Sequence, residues 1–371
     1  MFTFCSILRS TMTSPDRHPD FGARGRAART NRPGRFERHD REAVSDGWDI
    51  PEDVPTLRTT VDLERPRSVI TRNASPDVPF DRSINPYRGC EHGCIYCFAR
   101  PTHAYLGLSP GLDFETRLIA RPEAPEALVR ELRAKSYRPA VIAIGTNTDP
   151  YQPIEKTHQI MRRILKVLRD FRHPVGIVTK GSLIERDIDI LSDMARVGLT
   201  HVGISVTTLD PEVSRAMEPR VPAPARRLQT IRRLSDAGIP VRVMVAPVVP
   251  ALTDHELEAI LEAGAKAGAQ AASWVMLRLP REVSELFREW VEEQFPDRAA
   301  RIMGRVRSLH GGRDYDPEWG KRMTGEGPFA DLVRHRFAVA TRRLGLDQPL
   351  TPLRTDLFRP PPQAGDQLSL F

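Results

Sequence analysis

Residues 85–107 read NPYRGCEHGCIYCFARPTHAYLG, and three of the four cysteines in the chain, Cys90, Cys94 and Cys97, fall within eight of those residues. A secreted scaffold spreads its cysteines as disulfide pairs. A tight odd-numbered group points instead to metal ligation in a reducing compartment, so a cytoplasmic protein is expected. The fourth, Cys5, sits in a terminal tail. Residues 2–8 (FTFCSIL) have no basic region before them and no small-residue cleavage site after them, so they do not read as a signal peptide, and Met12 is an alternative start to Met1.

The spacing CxxxCxxC offers three soft ligands, suited to zinc or to an iron-sulfur cluster. A structural zinc site is closed by four ligands, so His92 or His103 would have to complete it. Three thiolates on a four-iron cluster leave one iron without a protein ligand, which is what a site needs when that iron must bind a substrate or cofactor.

Outward from this loop, short apolar runs alternate with longer amphipathic segments: AVIAIG (140–145), VGIVT (175–179), HVGISV (201–206), VRVMVA (241–246) and ASWVML (272–277). The runs are apolar nearly throughout, as expected of parallel strands covered on both faces. Between them Ile160, Ile164, Val167, Leu168 and Phe171 form a helical face. Asp210-Pro211 supplies a cap and a first-turn proline, Thr253 with Glu256 a capping box, and Gly198 and Gly238 the helix exits. With a short first strand near Ile84 to Arg88, the expectation is an α/β protein of six parallel βα units. That is too few for an eight-stranded barrel and enough for an open, TIM-like one. Chemistry in such folds gathers at the carboxyl ends of the strands, where the cysteine loop lies.

These residues resemble the radical S-adenosylmethionine (radical SAM) superfamily, whose members share CxxxCxxC with an aromatic, here Tyr96, before the last cysteine. The resemblance implies a partial (β/α)6 barrel and a 4Fe-4S cluster on Cys90, Cys94 and Cys97. It also implies S-adenosylmethionine on the fourth iron, an external electron donor of flavodoxin or ferredoxin type, and a 5′-deoxyadenosyl radical that abstracts hydrogen. Residues 80–340, with Asp149-Pro150-Tyr151, are similar to the spore photoproduct lyase-related branch. Carried over position by position, Gly145, Thr146 and Asn147 meet the cofactor's amino group, Lys180 its carboxylate and Ser205 its ribose. Ala246 offers a backbone contact, and Tyr96 and Phe98 lie near the adenine. Plain structural readings stay open: Lys180 as a strand-end cation in water, Ser205 bonded to backbone, Asp149 as a turn former, His103 and Tyr105 as a packed pair. One departure matters. The lyase returns hydrogen from a further cysteine near the second strand, where this chain has Thr146, Asn147 and Thr148. Tyr96 and Tyr151 are the substitutes considered.

Composition frames the rest. The chain has 371 residues, 40% hydrophobic and 28% charged, and no apolar run approaches the roughly 18 residues of a membrane span, so no membrane partner is expected. The net charge of +7 is compatible with nucleic-acid contact, though 49 of the 55 basic residues are Arg, a skew that base composition alone produces. Residues 1–80, including GARGRAARTNRPGR at 22–35, read as a mostly disordered Arg-rich arm with local contacts from Ile50 onward, and 81–296 as the barrel core. In the spore photoproduct lyase-related branch the matching region closes over the open barrel, so residues 297–346, with Gly311 to Tyr315 and an Arg-bearing helix (Arg334, Arg336, Arg342, Arg343), are expected to be a C-terminal extension that does the same. A Pro-rich tail, 347–371, ends in Gln367 to Phe371 (QLSLF), which resembles the peptide that grips the bacterial sliding clamp. The favoured function is hydrogen abstraction from a nucleic acid, in repair or modification. The alternatives are the same chemistry on a protein or small metabolite, and a non-catalytic zinc-bearing DNA- or clamp-binding module.

Overall fold

The β-branched runs assemble into one open sheet. In the computed structural model, which describes residues 25–36 and 57–362, the elements begin with β1 (Thr60–Leu63), β2 (Ile70–Arg72), β3 (Arg82–Ile84), β4 (Tyr87–Arg88), α1 (Leu112–Thr116), β5 (Arg117–Ala120) and α2 (Ala124–Leu132). There follow β6 (Ile142–Ile144), α3 (Glu155–His158), α4 (Ile160–Asp170), β7 (Val175–Thr179), α5 (Ile188–Arg196), β8 (Thr200–Ser205), α6 (Pro211–Met217) and α7 (Pro224–Asp236). The chain continues with β9 (Val241–Val248), α8 (Leu257–Lys266), β10 (Ala271–Met276), α9 (Glu282–Gln294), α10 (Pro296–Ser308) and α11 (Pro328–Leu344).

The main sheet has the order β10-β9-β8-β7-β6-β3-β2. Its six strands β3 and β6 to β10 run parallel in chain order, and β2 adds an antiparallel edge. This is the expected partial (β/α)6 barrel, open between β2 and β10. Along β7 and β9 buried positions alternate with half-buried ones. Ile177, Ile204, Val243 and Val245 thus join the helices in the outer core, while Gly176, Gly203 and Arg242 line the inner face. β7 and β9 are therefore covered fully on one face only, whereas β3 and β6 are buried throughout and β8 at all but His201, as the apolar runs implied.

Local chemistry explains the ends. The Asp210 carboxylate accepts from Glu212 N (2.7 Å) and Val213 N (3.2 Å) ahead of Pro211, and Gly198 and Gly238 adopt φ of +72° and +75° after α5 and α7. The Thr253–Glu256 capping box does not form. Thr253 Oγ1 instead accepts from Val249 N at 3.0 Å and the Glu256 carboxylate from Leu209 N at 3.1 Å, because loop closure beside β9 claims both side chains. The first strand also stops early. Pro86 has no N–H to continue a ladder, and Tyr87–Arg88 leaves the main sheet to pair with β5 in a second sheet of order β1-β5-β4.

The disordered arm expected for 1–80 is corrected at residues 25–36, while contacts expected from Ile50 onward are present in its described part. β1 pairs with β5 and β2 with β3, while Ala27 N and Ala28 N donate to the buried Glu115 carboxylate at 3.3 and 3.0 Å. Arg29, Arg32 and Arg35 pair with Glu293, with Glu285 and Glu289, and with Glu282, all on α9. Composition misses this because the partners lie about 250 residues away, and main-chain ladders and charges, rather than apolar burial, fix the segment.

At the other end, the stretch between α10 and α11 spans the open edges. Gly320 N donates to Asp77 Oδ1 (2.7 Å), Arg322 to Asp77 and to Ser75 Oγ (2.6 Å), and Met276 N to Met323 O (2.9 Å). Arg336 grips Glu258 of α8 with two bonds, at 2.8 and 2.6 Å, and Arg334 pairs with Asp331. Among the described residues no helix is long and apolar enough to cross a membrane.

Helix α8 lies close on β9. A Cβ built at Gly264 would sit 2.9 Å from Val243 side-chain carbons. Gly264→Val should therefore destabilise the protein by about 1–3 kcal/mol through overpacking, seen as a lower urea midpoint at unchanged slope.

Candidate functional site

The cysteine loop leaves β4 at the carboxyl end of β3 and is held almost entirely through its backbone. Cys90 N donates to Phe114 O (2.9 Å), Gly93 N to Cys90 O (3.2 Å), Ile95 N to Met217 O (3.0 Å) and Cys97 N to Cys94 O (3.2 Å). Its carbonyls converge on one side chain. Arg100, fully buried, donates from Nε to Cys94 O (3.0 Å), from Nη2 to Gly93 O (3.0 Å), and from Nη1 to Pro110 O and Gly111 O (3.1 and 3.0 Å). Its charge is met by the equally buried Glu115, 2.5 Å from Nη2. Gly93 has φ +67°, and a Cβ there would fall 2.6 Å from Glu115 Oε2, so glycine is required where loop and carboxylate meet.

All three cysteines carry free thiols; Cys90 and Cys94 are buried and Cys97 half-buried. Burial, then Asp149 and the other two sulfurs, raises the Cys90 thiol; burial followed by Glu218 raises Cys94, and burial raises Cys97. Ligation to a soft metal centre would release the protons these thiols hold. Neither histidine completes a zinc set. His92 Nδ1 lies 3.3 Å from Asp149 Oδ2, and His103, buried against Phe114, has Nε2 2.9 Å from Arg117 O. Three thiols with no fourth ligand among the described residues fit an iron-sulfur cluster with one open iron.

The residues expected around the cofactor divide into two sets. Lys180, just past β7, reaches Ala246 O on β9 at 3.4 Å, and its ammonium sits 5.8 Å from the centre of the Tyr96 ring. Its field extends to Cys94 and Cys97, and it makes no ion pair among the described residues. Ser205 ends β8, buried, with its carbonyl accepting from Arg227 at 3.1 Å. Gly145, Thr146 and Asn147 are half-buried beyond β6. Gly145 has φ +89°, and a Cβ would lie 1.9 Å from Val178 O, so close strand packing already demands glycine. Asn147 N donates to Asn85 Oδ1 (3.3 Å) and Thr148 Oγ1 to Tyr87 O (3.0 Å). Phe98 diverges from Tyr96: it is exposed, with Arg278 over its ring, whereas Tyr96 is buried with its hydroxyl on Glu218.

Asp149 does more than form a turn. It accepts from Tyr151 N (2.9 Å), Thr179 Oγ1 (2.6 Å) and Lys180 N (2.8 Å), besides facing His92, so it ties the cysteine loop to β6 and β7. Burial alone would raise its pKa, but His92 and these donors overcome that and draw it down to about 2. Tyr151 is buried with its hydroxyl on Asp187 at 3.2 Å. Tyr105 stacks with Phe36 on the surface, so it forms no core pair with His103.

Sequence reasoning missed Arg100, Glu115, Glu218, Arg227 and Arg278. Arg227 is fully buried and donates to Glu218 Oε2 (2.7 Å) and Ser214 Oγ (2.8 Å), which places a charge-compensated network beneath Tyr96. In sequence each is one charged residue among many; only tertiary burial singles it out.

The radical SAM superfamily profile matches residues 84–264, the span from the cysteine loop to α8. The chain belongs to the radical SAM superfamily. As in other members, its cofactors are a 4Fe-4S cluster and S-adenosylmethionine, and it is an enzyme. An uncharacterised protein of Mycobacterium tuberculosis is 36% identical over 77% of this chain and 82% of its own length. An uncharacterised protein of Methanocaldococcus jannaschii is 26% identical over 58% of this chain and 76% of its own. In fold the radical SAM chain is similar to spore photoproduct lyase solved with bound AdoMet and dinucleoside spore photoproduct, with a TM-score of 0.56, 14% identity, and 76% and 78% of the two chains covered.

Removing the carboxylate that neutralises Arg100 should be costly. Glu115→Ala leaves a buried guanidinium uncompensated, and denaturant unfolding should show a loss of about 3–5 kcal/mol. Wild-type stability in this variant would contradict the role given to the pair.

Proposed function

We propose that this radical SAM enzyme abstracts hydrogen from a nucleic acid, as a step in repair or modification, using the open iron of a cluster held by Cys90, Cys94 and Cys97. When bound, the cluster and S-adenosylmethionine together supply the reducing electron and the 5′-deoxyadenosyl group that removes hydrogen. The observation that carries the reading is the company the thiols keep. An ammonium, Lys180, stands beside them at a strand end with no carboxylate partner among the described residues. In this reading Lys180 binds the cofactor's carboxylate, a charge-assisted contact well suited to that gap. Gly145, Thr146 and Asn147 meet its amino group and Ser205 its ribose, Ala246 offers it a backbone contact, and Tyr96 and Phe98 border the adenine. Arg227 and Glu218 hold Tyr96, and Asp149 holds Lys180 N in place.

The nucleic-acid substrate is supported by the net charge of +7, by the likeness in fold to a lyase solved with a dinucleoside photoproduct, and by the QLSLF ending. That ending lies outside the described residues, and it is read as a ligand for the sliding clamp. The missing second-strand cysteine separates the chain from thymine-photoproduct reversal by thiol hydrogen return, since Thr146, Asn147 and Thr148 have no weak S–H bond. A flavodoxin- or ferredoxin-type donor supplies the electron, and the unpaired thiols suit a reducing cytoplasm. The same chemistry on a protein or small metabolite is the second reading.

Anaerobic reconstitution tests the class. The protein should turn brown and, when reduced with cofactor, form 5′-deoxyadenosine, and Cys94→Ala should abolish both; turnover unchanged in that variant would overturn the ligand assignment. Deuterium passing from labelled nucleic acid into 5′-deoxyadenosine tests the substrate, and transfer only from labelled protein or metabolite would replace it. A peptide ending in Leu370-Phe371 should bind the clamp with micromolar affinity or better, on the order of −8 kcal/mol, and lose that binding when both residues become Ala. No measurable binding would remove this partner.

A further inference from the structure

A second cation stands at the mouth of the barrel. Beyond β10 the chain turns through Leu277, and the Arg278 guanidinium carbon lies over the ring of Phe98, the residue after Cys97, 4.6 Å from its centre. Its Nη1 meets Met323 Sδ at 2.8 Å and Tyr315 lies beside it, so it is wedged between the cysteine loop and the stretch that follows α10. Its Nε is buried without a hydrogen-bond partner.

The nearby carboxylate is already taken. Asp77 receives the Arg322 side chain and Gly320 N, and among the described residues no carboxylate forms an ion pair with Arg278. Burial lowers its pKa, but a guanidinium stays charged at any physiological pH. A part-buried cation without a counter-charge is costly to the folded protein and is reasonable where a ligand provides the anion. The aromatic face beneath it orients the guanidinium, whose charge-assisted N–H donors suit a phosphate oxygen. The location matters as much as the charge, because Phe98 links Arg278 directly to the loop that carries the reactive centre.

We propose that Arg278 anchors a phosphodiester of the substrate strand beside the nucleotide that loses hydrogen. This rests on the nucleic-acid reading above and adds to it the residue that positions the strand. Arg322 is excluded from the role by its bond to Asp77, and Lys180 by its place next to the thiols.

The test uses the reconstituted full-length enzyme with S-adenosylmethionine, a short single-stranded oligodeoxynucleotide, and the same oligonucleotide with an uncharged methylphosphonate backbone. The wild type should prefer the charged strand. Arg278→Gln should weaken that binding about tenfold or more, and flatten the plot of log affinity against log salt by about 0.7, the contribution of one phosphate contact on a single strand. Arg278→Lys keeps the charge, so it should retain the slope while losing part of the affinity. Iron content and thermal midpoint identify any variant that fails to fold, and the Lys variant then carries the comparison through its split between slope and affinity. If the wild type binds the strand and Arg278→Gln binds it equally with the same slope, the anchor is wrong and the nucleic-acid reading stands. If the wild type binds neither strand, both fall. Equal displacement of the strand by an oligoglutamate peptide would assign the site to an acidic protein and overturn the phosphodiester.

Discussion

The arrangement depends on one buried ion pair. A loop that must aim three cysteine side chains at a common point has its carbonyls turned the other way, and those carbonyls need donors. Arg100 supplies them for Gly93 and Cys94, with Pro110 and Gly111 ahead of α1, and Glu115 makes its fully buried charge tolerable. The same carboxylate accepts Ala27 N and Ala28 N, so the pair that shapes the loop also fastens the segment 25–36 across it. Arginine is suited to this because five fixed donors can satisfy several carbonyls at once, which a lysine cannot do.

Around this centre, the parallel sheet brings chemistry from distant positions to one rim. Lys180, Ser205, Ala246 and Arg278 come from the ends of four successive strands, β7 to β10, and Asp149 joins the second of the six strands to both the loop and β7. Polar networks brace the aromatic and cationic groups: Arg227 and Glu218 below Tyr96, Asp149 below Lys180.

Much of this was legible in the sequence, for identifiable reasons. Cysteine spacing is rigid information, and apolar runs about 30 residues apart betray βα units, so the six parallel strands and the loop at their carboxyl end could be read directly. Glycines at 198 and 238 marked helix exits because positive φ leaves little choice of residue. What could not be read depends on partners far apart in the chain. The Arg-rich stretch 25–36 looked unstructured because its acidic complement lies on α9, and Arg278 looked ordinary because nothing local tells that Asp77 is already engaged. The capping box failed for the same reason: Thr253 and Glu256 had better offers from Val249 and Leu209.

The central claim is that three thiols, with no fourth ligand among the described residues, hold a cluster with one open iron. The most direct measurement is electron paramagnetic resonance of the anaerobically reconstituted, reduced protein before and after S-adenosylmethionine is added. The account predicts about four irons per chain and a cluster signal that changes on addition, as the open iron gains ligands. A protein that carries zinc and gives no signal, or a cluster signal that the cofactor leaves untouched, would contradict it.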